Sequence, residues 1–461
     1  MPRVRRSRMP RLSFGSLAFG LSGALALVAA PSALGQASFN GSLYSRYGVG
    51  ELVTATSAPG MAMGGGGLAL VNYGFTNLSN PAGLGQQFLT RFSVSGQMQT
   101  TGIEDASGQV AQRSEANLST VALSFPLRTN RVGVGLQVVP VSRISYGSVS
   151  LGTAIGLPDA PKDTIRYEVG FEGTGGLSRA ELGVGVRVSR ALYLGASAGA
   201  TFGLLEQSRR TTFEPTDSPG YAEQIFLTTT RLAGFSARAG ALLRLDSLGA
   251  PTRRLNIAAT VDLPTTLYGR RVRALSPLQV VNPDTLSTSA RGTVQLPLGA
   301  ALGVAFMPNS KWTFVADGRY EPWSSFESDF SFDGYASAAQ SRTVDRVRAS
   351  VGAEVIPGAN AYNPSYLRRI AYRLGGYYDS GYVLAPATPL GGSGDRLPTV
   401  GLTAGLSFPA LLPGTSLDLG FEVGQRGQAQ ASPVPLVRDR FFKVSLTANI
   451  GERWFERPRL N

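Results

Sequence analysis

The titratable chemistry of this chain is almost entirely arginine and carboxylate. Its 461 residues hold 43 Lys and Arg against 30 Asp and Glu, with no His and no Cys. Three of the basic residues are lysines, Lys162, Lys311 and Lys443, and the rest are arginine. Without His or Cys there is no Ser-His-Asp or Cys-His nucleophile, no HExxH zinc site and none of the usual transition-metal ligand sets. Paired carboxylates could still act as acid and base, but no paired acidic motif stands out. The reading is therefore no catalytic residue, no metal and no cofactor. Guanidinium groups binding carboxylate or phosphate are the remaining chemistry, by charge-assisted hydrogen bonds. Arg187 is one such candidate, free to hold a carboxylate headgroup or to pair with an acidic neighbour such as Glu422.

What would position these groups is all-β. Val132, Val134, Leu136 and Val138 alternate with Gly133, Gly135 and Gln137. Leu192 to Leu204 carries Leu, Ala and Phe on even positions, with Tyr193, Gly195, Ser197, Gly199, Thr201 and Gly203 between them. The same pattern recurs through Val400–Phe408, Leu417–Val423 and Phe442–Ile450. Period-two alternation fits either a soluble sandwich or a transmembrane barrel with lipid outside and a polar lumen. Run length favours the barrel, because tilted membrane strands need roughly 9 to 11 residues and globular strands average about five or six.

The connections support the same architecture. Short links fall near 129–130, 189–190, 246–252, 308–310, 357–366 and 410–414. Longer polar stretches fall near 101–116, 150–176, 206–222, 269–289, 322–341, 381–396 and 426–437. Alternating them predicts fourteen antiparallel strands over 86–461, an even number with short turns on one side. Phe125, Tyr146, Tyr193, Tyr268, Trp312, Tyr320, Trp323, Phe408, Trp454 and Phe455 are expected near strand ends as interfacial girdles.

The N-terminus reads as a leader. Arg3, Arg5, Arg6, Arg8 and Arg11 precede an apolar stretch, then small residues around Gly35 and Ala37, the pattern of a secretory signal peptide over 1–37. Its removal lowers the formal charge from +13 to +8. An exported chain without cysteine is held by burial and hydrogen bonding alone, and it lacks the residue that a lipoprotein anchor requires. The arginine bias gives little reason to expect nucleic acid. It suits anionic lipid headgroups better.

Residues 38–85 break the alternation. They contain "YSRYGVGEL", "GMAMGGGGLAL" and "GFTNLSNPAGL". Glycines permit close backbone approach and positive φ, and Pro81 holds Asn80 extended. A compact plug inside the lumen fits this composition, since backbone groups there must find partners.

Glycine-rich "GMAMGGGGLAL" followed by "NLSNPAGL" and a long β region resembles the FadL-type outer-membrane transporters of long-chain fatty acids and hydrocarbons. The matching positions are Gly65, Gly67, Asn77, Asn80, Pro81 and Ala82. The Asn77 to Asn80 spacing is one residue shorter than in that family. "YSRYGVGEL", "GTGGL" at 173–177 and "NIGERWFERPRL" look like a divergent branch of it. The resemblance implies a 14-stranded barrel with an N-terminal hatch and passive uptake of hydrophobic small molecules. Its partners would be the bilayer, lipopolysaccharide and an apolar ligand. It also implies a kinked third strand at a lateral opening, for which Pro140 is the candidate; the alternative is that Pro140 only ends pairing near the outer rim. Gly173, Gly175 and Gly176 are a second bulge candidate, in strand four. The alternatives are a structural or secretion-associated barrel with a protein partner, and an aqueous porin.

Overall fold

The structure is a computed structural model. It describes residues 41–54, 57–71, 78–155, 164–213, 223–277, 286–332, 343–388, 391–412, 414–430 and 436–453. The leader, Asn77, Trp454 and Phe455 lie outside the described residues. Phe39–Asn461 form one compact unit.

Among the described residues, fourteen strands make up the barrel wall, in chain order. They are β1 Thr90–Glu104, β2 Val110–Arg128, β3 Val132–Pro140 resumed as Ser142–Ile155, β4 Thr164–Arg187 and β5 Leu192–Phe213. Next come β6 Gln224–Asp246, β7 Arg254–Asp262 resumed as Thr265–Pro277, β8 Leu286–Leu296 resumed as Gly299–Met307 and β9 Trp312–Glu321. The ring is completed by β10 Arg346–Val355, β11 Ala371–Asp379, β12 Thr399–Pro409, β13 Ser416–Gln430 and β14 Leu436–Glu452. Each strand pairs antiparallel with the next, and β14 pairs with β1 from Thr90–Glu452 to Glu104–Arg438, so the sheet closes. Closure leaves no free edge, which is why a sheet can stand in hydrocarbon.

Side-chain alternation sorts the two faces. On β5, Leu194 and Phe202 are exposed on the outside, while Ser197 and Thr201 are buried within. Glycines fill many inner positions, and the plug occupies the space they leave.

Two expectations need correction. The described parts of the polar stretches at 150–176, 206–222 and 269–289 are strand rather than loop. β4, β5 and β6 run for 24, 22 and 23 residues. Above the apolar band both faces of the wall meet polar surroundings, so polarity no longer distinguishes loop from paired backbone. The set of outward aromatics also differs from the expected one. Tyr268, Trp312 and Tyr320 are exposed on the outside, whereas Tyr146, Tyr193 and Trp323 are buried. For Tyr146 and Tyr193, parity in the strand and not nearness to its end decides the face, while Trp323 lies in the 3-10 turn Trp323–Ser325 that follows β9.

Candidate functional site

The segment before β1 is held inside the barrel by the inner wall, one contact after another. Its first turn, Leu43–Arg46, is capped by Ser42, whose hydroxyl also donates to the Asp439 carboxylate. The Ser45 hydroxyl donates to Ser145 O at 2.9 Å, and Ser145 N returns a bond to that hydroxyl at 3.0 Å. A short plug strand, Glu51–Leu52, pairs antiparallel with Arg143 and Ser142 of β3. Ser57 then caps the helical turn Ala58–Met61, and Ala58 N donates to Thr447 of β14 at 2.8 Å.

The glycine cluster lies against the opposite wall. Gly64 N donates to Thr403 of β12 at 3.0 Å, and Arg348 of β10 donates to Gly64 O at 2.8 Å. Asp317 of β9 accepts from both Gly67 N and Leu68 N. Gly64, Gly65 and Gly67 have φ of 74°, 76° and 108°, which lets the chain curl onto the carboxylate. Asn256 of β7 donates to Ala69 O at 3.0 Å.

The Asn-Pro-Ala stretch closes the plug. The Asn80 side chain accepts from Ala82 N at 3.0 Å and donates to Ala241 O of β6 at 3.0 Å. It thereby caps the 3-10 turn Pro81–Gln86, with Pro81 at the first position where no N–H is needed. Gly185 and Gly195 of the wall sit against Pro81, Ala82 and Leu84, where any Cβ would collide.

The wall itself is interrupted beside the plug strand. β2 and β3 pair from Arg128–Val132 up to Val121–Val138 and, among the described residues, no further. Pro140, which has no N–H to contribute to a ladder, comes two residues later. Pro140 still faces Ser178 of β4, but Ile144 faces Gly175, so β3 carries one extra residue between these pairs. Gly175 and Gly176 opposite have φ of 108° and 143°. The two positions singled out separately, Pro140 and Gly175-Gly176, thus meet at one kink. Gly173 faces the Tyr146 ring, which fills the space of its missing side chain. Above the kink, among the described residues, side chains bridge β2 to β3, through Arg143–Glu115 at 3.6 Å and an Arg113 guanidinium bond to Gly147 O.

A cavity of about 220 Å³ reaches this interruption from within. Val49, Leu52, Val139, Pro140, Val141 and Leu177 form its apolar side. Its other side is ionic. Asp262 accepts from Arg179 at 3.2 Å, Arg238 at 2.6 Å and Arg319 at 2.5 Å. The chain of pairs continues through Glu321, Arg346 and Asp379. Toward the long connections Trp323, Phe326, Phe330 and Phe332 pack with Val49, Ile144 and Tyr382 into an apolar cap. Arg187 lies elsewhere. It stacks over Tyr193, and its guanidinium bonds Ser189 O and Arg190 O, while Glu422 pairs with Lys443. Asp262, Asp317, Thr403 and Thr447 escaped the sequence reading. Their inward parity was visible, but nothing local shows which wall residue the plug will touch.

Glu51 also pairs with Arg426 at 2.5 Å. Burial pushes its carboxyl up, and the guanidinium more than offsets this, bringing it down to about 2 from 4.5. The charge pairing is therefore complete above about pH 4.5 and is lost only as the pH falls through about 2. Hydrogen-exchange protection of residues 49–53 should be the same at pH 7 and pH 5; a loss by pH 5 would contradict this.

A family model described as BamG matches residues 21–461. No curated protein matches the sequence. Among solved structures, the CymD monoaromatic hydrocarbon channel is similar with a TM-score of 0.53 at 16% identity, over 86% of this chain and 97% of that one. The Ralstonia pickettii toluene transporter TbuX gives 0.53 at 18%, over 86% and 98%. A Pseudomonas aeruginosa FadL homologue gives 0.52 at 14%, over 88% and 99%. The fold is therefore that of the FadL-type barrels, in a branch of low sequence identity.

Proposed function

The chain belongs to the BamG family, and for its plugged barrel we propose passive uptake of hydrophobic small molecules across the outer membrane. The observation that carries this reading is the seam above Val121–Val138 where, among the described residues, β2 and β3 do not pair, reached from inside by the cavity and covered there by the plug strand. An apolar solute gains nothing from a watery pore. Leaving sideways at a break in the hydrogen-bond ladder, it passes directly into hydrocarbon. In this reading residues 1–37 are removed on export, 38–85 are the hatch and 86–461 the barrel. Gly65, Gly67, Asn80, Pro81 and Ala82 shape the hatch. Pro140 with Gly173, Gly175 and Gly176 forms the gate. The fold neighbours named for monoaromatic hydrocarbons and toluene support the solute class. No catalysis is proposed.

The test is a lock. Leu52 and Ser142 are register partners, and cross-strand Cα separations suit a disulfide. The chain has no native cysteine to interfere. Oxidised Leu52→Cys/Ser142→Cys protein in proteoliposomes should admit toluene only at background rate, with uptake restored by reductant. Equal uptake in both states would overturn the gate.

A second reading, a barrel that holds a protein partner, rests on the height of β4 to β6. Their 22 to 24 residues are about twice what a bilayer needs, so a tall paired wall stands above it. Mass spectrometry of the purified barrel separates the two readings. A co-purified apolar molecule supports uptake, and a stoichiometric protein without one supports the scaffold.

A further inference from the structure

The outer face of β6, β7 and β8 changes character at a single level. From the short-turn end, outward side chains are apolar on β6 from Leu243 to Phe235, on β7 from Ile257 to Tyr268 with Thr266 between, and on β8 from Phe306 to Leu298. The first outward charge met on each strand is an arginine: Arg231, Arg270 and Arg291. These three are exact register partners, Arg231 opposite Arg270 and Arg270 opposite Arg291. All three are exposed.

Like charges directly opposite one another on neighbouring strands destabilise a sheet. Among the described residues none of the three forms an ion pair. Two carboxylates stand diagonal to the row: Glu206 of β5, opposite Thr229, near Arg231, and Asp329, beside Thr293, near Arg291, where it accepts from the Thr293 N–H and hydroxyl. The far side of the barrel is arranged differently. There Arg438 and Arg440 of β14 both reach Glu104 of β1, at 3.6 and 3.5 Å. Among the described residues, the row on β6 to β8 is a concentration of positive charge without an ion-pair partner.

Its position indicates what neutralises it. Arg270 lies two residues beyond Tyr268, which is 71% exposed on the same face. Aromatic side chains mark the edge of the hydrocarbon, and lipid headgroups begin there. With strands about 4.8 Å apart, three guanidinium groups span about 10 Å, within reach of one headgroup bearing two phosphates. Planar guanidinium forks match phosphate oxygens in a way that a lysine ammonium does not.

We propose that Arg231, Arg270 and Arg291 form a binding site for a phosphorylated lipid headgroup in the leaflet on the long-connection side. The site does not depend on whether a solute crosses the barrel. Bound lipid would relieve the repulsion within the row and fix this wall at the membrane surface.

The full barrel in zwitterionic detergent, titrated with diphosphoryl lipid A and followed by native mass spectrometry, tests the site. R231Q/R270Q/R291Q should lower the retained lipid about tenfold or more, and R270Q alone by a smaller factor. Lipid A stripped of its phosphates should bind the parent as weakly as intact lipid binds the triple variant. Inorganic phosphate at the same concentration should not displace the lipid. Without lipid, the triple variant should melt no lower than the parent, because like charges have been removed. Equal retention by the parent, the triple variant and R270Q would overturn the proposal. So would equal binding of the dephosphorylated lipid, or displacement by free phosphate, which would indicate a small-anion site.

Discussion

Asp262→Ala is expected to destabilise the barrel more than any other single inner-wall substitution. Asp262 is the last residue before the interruption of β7, and it accepts from three guanidinium groups carried by β4, β6 and β9. Its removal leaves Arg179, Arg238 and Arg319 facing one another, with Glu181 at 3.5 Å from Arg238 and Glu321 at 2.9 Å from Arg319 as the acidic partners left among the described residues. Stranding buried charge in this way costs about 3 kcal/mol or more. The melting temperature in detergent should fall clearly. Arg238→Met added to Asp262→Ala should recover part of the loss, since one unmatched charge goes with it. An unchanged melting temperature would show that lumenal water screens the cluster fully. A double variant no better than the single one would place the damage in packing.

The second large effect is expected from Gly195→Val, which should expel the hatch while leaving the wall intact. Gly195 is on the inner face of β5, where a Cβ would collide with Pro81 and Ala82 of the plug. Valine suits a strand, and its outward neighbours Leu194 and Ala196 are unchanged, so the ladder to β4 and β6 persists. Overpacking costs about 1–3 kcal/mol, and here it falls on a plug held by a limited set of hydrogen bonds. Limited proteolysis should then cleave within residues 41–88, and planar bilayers should show ion conductance that the parent lacks. Leu194→Val, on the lipid face, is the matched control and should do neither. A Gly195→Val barrel that remains protease-resistant and closed to ions would mean the hatch is anchored elsewhere. The Asp317 and Thr403 contacts to the glycine cluster would be the first places to look.

Much of this barrel could be read directly from residue order. The even positions of Leu192–Leu204 had to share one face, because a strand places alternate side chains on opposite sides. The fourteen strands followed from alternating short and long connections. The glycine cluster and Asn80-Pro81 marked a segment that could not be wall. These are properties of residues and their immediate neighbours, and they survive without knowledge of the fold.

Tertiary structure decided which strands meet and in what register. Val141, Leu263-Pro264 and Pro297-Leu298 interrupt β3, β7 and β8, and a change of one residue in register reverses which parity faces lipid. Tyr146, which lies beyond the interruption of β3, could therefore not be assigned inward from its place in the sequence. Asp262 became a hub only when β4, β6 and β9 brought arginines to it, from residues 83, 24 and 57 positions away. Arg231, Arg270 and Arg291 likewise became one row only through pairing. Alternation is set by the geometry of a single strand. Register and closure are set by hydrogen bonds between segments far apart in the chain, and these alone determine which charges become neighbours.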